Sequence, residues 1–564
     1  MVLPQRVEAQ MQVNMRHGGK ILADQLAILG VERVFSVPGE SFLAALDGLY
    51  DSGIRNIVCR QEGGAAMMAE AHGKLTGRPG VCFVTRGPGA TNASAGIHIA
   101  RQDSTPMVMF VGQIDRSHRD REAFQEVDYR AVFGGLAKWV AEVDQTDRLP
   151  EYIGRAFHVA MAGRPGPVVL ALPEDMLSAQ ADVADLAGPV TILPPDHAAS
   201  AAAVMARVAQ AARPLVVVGG PHWSAQAATD LARFAETQGL PVATGFRRQD
   251  YIDNRHPNYA GDLNVGPNPR LAQRLRDADA VLVLGSRLGD IETQGYTLID
   301  PSEAKKSIYH IHADPDEPGR VYRPALAVTA TAPDFTRALA TLPACGTDWG
   351  DWTRAARAEY DAWVTPQPTP GDVRQEEVIA WLSATLPEDA IVTNGAGNYA
   401  AWLHRYFCYK YYRTQLAPTS GSMGYGFPAA VSAALAHPDR LVVCLAGDGC
   451  FQMTLNEMST AVQHGACPIV LVMNNGRYGT IRMHQERTYP GRVSGTDLAS
   501  PDFAALARAY GGHGETVLRM TDLAPAFARA RGAGTLAVLD LRIDPEALAT
   551  GLTLTQARKL GEAR

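Results

Sequence analysis

The sequence predicts an α/β protein, with parallel sheets flanked by helices. Three observations carry that expectation. Apolar, β-branched runs recur along the chain and are mostly continuous rather than alternating, as strands buried on both faces of a parallel sheet require. Stretches rich in Ala and Leu lie between many of these runs, and such strand–helix alternation builds α/β layers. Glycine is abundant, 53 of 564 residues, which suits tight strand-to-helix turns better than low complexity.

In chain order, the expected strands are Val81–Thr85, Met107–Val111, Val168–Leu172, Leu215–Val218, Ala280–Leu284 and Ser307–Ile311, followed by Ile391–Thr393, Leu441–Leu445, Ile469–Met473 and Leu536–Leu541. Two segments interrupt the alternation. Ala179–Ser200 carries Gly188, Pro189, Pro194 and Pro195 without periodicity, and 365–372 reads TPQPTPGD, which holds no helix. Read as linkers, they divide the chain into domains at 15–180, 199–345 and 373–545. Residues 1–14 are expected to be a disordered N-terminal extension, and 546–564 a C-terminal tail.

Hydrophobic residues make up 46% and charged residues 20%, which excludes disorder as the dominant state. Lys and Arg number 52 against 59 Asp and Glu, a net charge of −7. That balance offers no basic footprint for nucleic acid and no polybasic patch for a membrane. No run of 18 apolar residues occurs, so no transmembrane helix is expected, and the N-terminus has no apolar signal core. The seven cysteines form no C-x-x-C pair and sit mostly in or beside apolar runs, as buried free thiols do. A reducing compartment, the cytoplasm, is therefore expected rather than a secreted disulfide scaffold.

The strongest chemical signal is Gly447-Asp448-Gly449, at the end of the run LVVCLA. A helix is expected from Thr454 to Gln463, closed by Gly465, and the next strand ends in Asn474-Asn475-Gly476. Asp448 and Asn475 then stand at the carboxyl ends of neighbouring parallel strands, where open α/β sheets bind ligands. A carboxylate and an amide carbonyl are hard oxygen donors that suit Mg²⁺ with few protein ligands. Gly449 and the following helix start offer free N–H groups to a phosphate. Either motif alone reads better as a plain turn or loop. Both together, at strand ends with one helix between them, describe a metal-bridged diphosphate site.

This spacing resembles the signature of thiamine diphosphate (ThDP) enzymes, and further motifs resemble the acetolactate synthase branch. They are VFSVPGE (34–40), CRQEGGAA (59–66), VTRGPGATN (84–92), AFQE (123–126), GRPGPV (163–168) and GSMGYGFP (421–428), in that branch's order. The resemblance implies a pyrimidine-binding domain, a central domain and a diphosphate-binding domain. It places Mg²⁺ on Asp448, Asn475 and the carbonyl of Arg477, and the diphosphate near Gly447, Gly449, Cys450, Gly479, Asn398 and Tyr399. Gly395-Ala396-Gly397-Asn398 departs from the family's usual wording. Met423 matches the residue that bends the cofactor, with the Gly421 and Met423 backbone on the pyrimidine edge. Glu62 matches the catalytic glutamate, which shares a proton with the pyrimidine; without the resemblance it reads as an acidic residue opening a helix. Glu62 would reach the cofactor across a subunit interface, which implies a homodimer as the smallest active unit and commonly a homotetramer. The implied reaction is decarboxylation of a pyruvate-like 2-oxo acid and ligation of the resulting enamine to a second carbonyl, with simple decarboxylation or another C–C lyase activity as the alternative.

Departures from the family cluster at the substrate end. His484 stands where biosynthetic synthases carry a Trp that selects the acceptor acid, and Arg86 replaces a small residue in the 84–92 loop. Arg86 is read either as a rim cation for a substrate carboxylate or as an ion pair. Gln113 and Gln125 match polar residues near the family's substrate site. The central domain resembles the synthases' FAD-binding domain around Leu215–Gly220, Leu284–Asp290 and His312–Pro315, which leaves FAD open as a further cofactor. Gly395-Ala396-Gly397-Asn398-Tyr399-Ala400 also matches G-x-G-x-x-A, the remote nicotinamide-oxidoreductase reading, but no acidic residue closes a second strand after it.

Overall fold

The computed structural model describes residues 15–188, 192–302 and 306–563, so the expected extension 1–14 lies outside the described residues. Three six-stranded sheets, parallel throughout, follow one another along the chain. The first has the order Arg55–Val58, Arg33–Ser36, Gly80–Val84, Met107–Gln113, Pro167–Pro173, Trp139–Glu142. The second runs Tyr259–Asp262, Val242–Thr244, Pro214–Val218, Ala280–Leu284, Ser307–His312, Leu326–Thr329. The third runs Gln415–Leu416, Ile391–Asn394, Val442–Gly447, Ile469–Asn474, Ala537–Arg542, His513–Val517.

Every strand expected from an apolar run is present. Gly80–Val84, Met107–Gln113, Pro214–Val218 and Ala280–Leu284 are buried at every residue, which is why their sequences do not alternate. The strands without a sequence signal are short or polar. Tyr259–Asp262 is YAGD and His513–Val517 is HGETV, both at sheet edges. Edge strand Leu326–Thr329 alternates half-buried and exposed residues, as a one-sided strand does.

Two expected limits meet continuous structure. After 345, helix Gly350–Trp363 packs on the central sheet: the Trp349 and Trp352 indoles donate to the carbonyls of Ala211 and Pro214, and Tyr360 stacks edge-on against Tyr259. After 545, helix Leu554–Glu562 opens with a Thr553/Gln556 capping box and packs on helix Gly479–Thr488. Arg558 there makes a two-pronged ion pair with the buried carboxylate of Glu486. The outer units also meet directly: helix Glu62–Thr76 packs on Gly426–Ala436, and the Ser432 hydroxyl donates to the Met68 carbonyl.

The helix expected from Thr454 to Gln463 forms as a 3₁₀ turn at Leu455–Glu457 and a helix at Met458–His464, and a separate short helix, Asp448–Gln452, precedes it. The break lies at Thr454, which leaves helical geometry and donates its hydroxyl to the Gly424 carbonyl at 2.8 Å. Gly465 closes the last piece with φ of 72°, as the sequence indicates.

Candidate active site

In the last sheet the strand order reverses between Ile391–Asn394 and Val442–Gly447, the switch point where open α/β sheets hold ligands. The loops leaving these strands and Ile469–Asn474 surround a cavity of about 250 Å³. Gly447, Asp448, Gly449 and Cys450 form one wall, with Asn475, Arg477 and Gly479 beside them. Asn398 and Tyr399 close the opposite side, and Gly421 and Met423 enter from the GSMGYG loop. Residues spread over roughly a hundred positions of sequence thus meet because two neighbouring parallel strands end level, Gly447 opposite Met473.

Asp448 is 2% exposed. Burial raises its pKa, and the Ser500 hydroxyl, donating to Oδ2 at 2.8 Å, works against that rise. Ser500 carries no motif signal. It reaches Asp448 because the segment before it folds back over the Asn475 loop: the Tyr478 N–H donates to the Thr496 carbonyl and the Leu498 N–H to the Gly476 carbonyl, each at 2.8 Å. Asn475 Oδ1 accepts from the Arg477 N–H at 3.3 Å. Gly449 is required by close approach, since a Cβ there would lie 2.5 Å from the Tyr478 ring and 2.9 Å from Leu498. Asn474, first of the pair, donates instead to buried Asp540 at 2.9 Å and so fastens the strand rather than the cavity.

The side chains of Asn398, Tyr399 and Cys450 are used to build the walls. Asn398 donates to the Leu548 carbonyl at 2.8 Å and accepts from the Thr480 hydroxyl at 2.9 Å. Tyr399 Oη accepts from the Gly395 N–H at 3.0 Å and lies 3.3 Å from Cys450 Sγ, which accepts from the Gly424 N–H. What remains for a ligand from this wall is backbone N–H groups. Met423 stands half-buried between Gly421 (φ 68°) and Gly424 (φ 81°), a left-handed pair that only glycine adopts without strain.

The loops are held from outside their own unit. Arg247, fully buried and itself at φ 57°, donates to the Gly395 carbonyl at 3.0 Å and to the Pro418 carbonyl. Asp103 of the first unit accepts from the Thr419 N–H at 2.7 Å, and Tyr425 donates to buried Glu70 at 2.6 Å. Neither Arg247 nor Asp103 stands out in sequence.

The remaining expected residues do not line this cavity. Glu62 opens helix Glu62–Thr76, half-buried, and accepts from the Asn92 amide at 3.0 Å. Gln125 lies above Gly87 on the same group of loops, with φ of 64°. Gln113 is buried and committed internally, donating to the Val127 carbonyl and accepting from the Ile114 N–H. His484 is exposed on helix Gly479–Thr488. Arg86 is a correction to the rim-cation reading: it is buried, with Nη1 on Glu174, Nη2 on Glu40 and Nε on the Phe124 carbonyl. Two carboxylates of the chain balance its charge, which is the ion-pair reading.

The central sheet has its own switch point, between Pro214–Val218 and Ala280–Leu284. The half-buried Glu292 carboxyl stands there, bonded to the Ser286 hydroxyl and so close to Gly245 that a Cβ there would lie 2.1 Å away. Arg287 and Arg164 are both ion-paired with buried Glu317.

Comparison with known proteins agrees with this geometry. Three family models match in order: the N-terminal TPP binding domain of thiamine pyrophosphate enzymes over 16–132, their central domain over 201–339 and their C-terminal TPP binding domain over 395–541. The chain belongs to the thiamine pyrophosphate (that is, ThDP) enzyme family. Within that family it is similar to acetolactate synthase large subunits. It is 32% identical to that of Corynebacterium glutamicum over 534 residues, covering 91% of this chain and 84% of the relative. It is 31% identical to the isozyme 2 large subunit of Escherichia coli K12 over 517 residues, covering 91% and 92%. It is 30% identical to the large subunit of Lactococcus lactis over 506 residues, covering 88% and 87%. It is thus a ThDP-dependent enzyme.

Proposed function

We propose that the chain decarboxylates a pyruvate-like 2-oxo acid and joins the remaining acyl fragment to a second carbonyl compound, using ThDP and Mg²⁺. The observation that carries this reading is the convergence of the Gly447–Cys450 turn, the Asn475–Gly479 loop and the Met423 loop on one cavity at the switch point. The donor set fits Mg²⁺: one carboxylate (Asp448), one side-chain amide oxygen (Asn475) and one peptide carbonyl (Arg477) are hard ligands that leave positions for diphosphate oxygens and water. The glycines fit a diphosphate, because the wall they form offers N–H groups and no side chain. When bound, ThDP supplies the nucleophilic carbon and the electron sink that decarboxylation needs.

The chain's own residues then have distinct tasks. Asp448, Asn475 and Arg477 would hold the metal beside the glycine N–H groups that would take the diphosphate. Met423 would support the cofactor, and the apolar wall of Trp402, Met473 and Ile543 would exclude water. Glu62 holds and returns a proton at the pyrimidine nitrogen. Because Glu62 lies outside this chain's cavity, a second copy supplies it, which makes a homodimer the smallest active unit and a homotetramer compatible with the same contact. Gln125 and His484 would meet the acceptor at the rim, where His484 is more polar than a tryptophan would be. The central unit does not fit FAD. Glu292 stands at its crevice with a carboxyl where a dinucleotide would place its own negative charge, and Arg164 and Arg287 are already paired. The cytoplasm is the proposed compartment, in keeping with seven free cysteines. Among the described residues no helix is long and apolar enough to cross a membrane.

A panel of 2-oxo acids, offered with ThDP and Mg²⁺ and read for carbon dioxide and by mass spectrometry of products, tests the reading. Ligated products support it; carbon dioxide with only the free aldehyde selects the simple decarboxylase instead. Glu62→Gln should keep ThDP affinity and lower kcat by about a hundredfold or more, the scale of a lost general acid–base group.

A further inference from the structure

The segment between the 3₁₀ turn Arg116–His118 and helix Tyr129–Phe133 is held in unfavourable backbone geometry. Asp120, Glu122 and Gln125 have φ of 59°, 52° and 64°. They are three of the ten non-glycine residues with positive φ among the described residues, and they fall within six positions. Such a conformation persists only where the surroundings over-determine it, and it gathers where function needs a fixed geometry. Two devices fix it here. Glu126 turns back on the segment and accepts from the N–H groups of Asp120 at 2.8 Å and Ala123 at 2.9 Å. Arg86 grips it from the sheet: Nε donates to the Phe124 carbonyl at 3.3 Å, while Nη2 donates to Glu40 at 2.9 Å and Nη1 to Glu174 at 3.0 Å. Glu40 follows strand Arg33–Ser36, Arg86 follows Gly80–Val84, Phe124 follows Met107–Gln113 and Glu174 follows Pro167–Pro173. These strands are parallel, so one guanidinium joins four loops at one edge of the first sheet. Only the planar fork of an arginine reaches three acceptors in this way.

The turn that carries Arg86 also reaches Glu62. Gly87 packs so closely on the segment that a Cβ there would lie 2.8 Å from that of Gln125. A Cβ on Gly89 would lie 3.3 Å from Glu62 Oε1, and Asn92 donates to Glu62 Oε2 at 3.0 Å. Residues 86–92 thus touch Gln125 at one end and Glu62 at the other. Phe124, 73% exposed, and half-buried Gln125 are what the segment presents to a ligand. We propose that Arg86 is a positioning residue for substrate choice: it fixes Phe124 and Gln125 at a set distance from Glu62 and so limits the size of the 2-oxo acid admitted between them. The proposal rests on the role given above to Glu62.

Arg86→Met tests this in the holoenzyme, with ThDP and Mg²⁺ saturating and with pyruvate and 2-oxo-3-methylbutanoate as substrates. The Glu40 and Glu174 side chains are 67% and 40% exposed, so water replaces the guanidinium and the variant is expected to fold. The ratio of kcat/KM for the branched acid to that for pyruvate should rise at least about fivefold, the scale on which a pocket wall discriminates methyl groups. That ratio does not depend on how much enzyme is folded, so a merely structural role leaves it unmoved. Amide exchange over 119–127 should speed at least about tenfold in the same variant. Should Arg86→Met not fold, Glu122→Gly takes its place under the same two criteria: it is exposed, and glycine adopts φ of 52° without strain. Turnover with an unshifted ratio, or unchanged exchange over 119–127, overturns the proposal alone. Failure of the unaltered enzyme to turn over either acid or any other 2-oxo acid overturns the proposed reaction, and this substrate role with it.

Discussion

Asp448 and Ser500 show how the proposed metal site extends beyond its motif. The carboxylate is named by GDG, but the hydroxyl that orients Oδ2 lies 52 positions later in a loop with no signature of its own. Residues that orient a metal ligand affect affinity nearly as much as ligands do. Ser500→Ala should therefore weaken Mg²⁺ about tenfold or more, measured as the Mg²⁺ concentration for half-maximal ThDP binding, with the fold unchanged. A change below about twofold would mean that Ser500 does not orient the ligand. Asp448, Asn475 and Gly449 were legible because turn glycines and hard oxygen donors at strand ends are local features. Ser500 was not, because its hydroxyl matters only through a fold-back that no short-range pattern encodes. Arg86 was ambiguous for the same reason: Glu40 and Glu174, the two carboxylates that settle it, lie 46 and 88 positions away.

At the scale of elements, burial explains what periodicity reveals. Strands buried on both faces announce themselves as unbroken apolar runs, whereas short, polar edge strands such as His513–Val517 carry almost no pattern. The helix after GDG illustrates a tertiary override: its composition permits a continuous helix, but Thr454 exchanges helical geometry for a bond to Gly424. Helix Leu554–Glu562 shows the same dependence on context. It docks on Gly479–Thr488 through Arg558, whose hydrogen bond pulls Glu486 down to about 2 from an ordinary 4.5. A carboxylate depressed in the folded state stabilises it above the ordinary value, and the contribution fades as pH falls from 4.5 through about 2. Glu486→Gln should abolish that part of the acid dependence in denaturant unfolding and speed amide exchange across 554–562 at neutral pH. An unchanged acid limb together with unchanged exchange would refute this role.

For the whole molecule, the cofactor cavity belongs to one unit and its scaffolding to three. Arg247 from the central unit holds the Gly395 and Pro418 carbonyls, and Asp103 from the first unit holds Thr419 next to it. The central unit thus serves the site mechanically. Arg247→Met keeps much of the bulk and removes both donors. It should raise the Kd for ThDP by about tenfold and lower the Tm by several degrees, since loss of hydrogen bonds to buried carbonyls costs about 1–3 kcal/mol. If ThDP affinity stays unchanged while Tm falls, Arg247 serves the fold alone.

The sequence by itself determined the α/β class and the interior strands, and it carries the proposed metal-bridged diphosphate site. These depend on burial period, turn glycines and donor type, all expressed within a few neighbouring residues. The resemblance added the roles of Glu62 and Met423. Only the tertiary structure decided that Asn398, Tyr399 and Cys450 spend their side chains on the walls, that Arg86 is ion-paired internally, that Glu292 stands at the central crevice and that Glu62 stands outside its own chain's cavity. Each of those outcomes depends on distance and charge neutralisation between residues far apart in the chain, which packing alone sets.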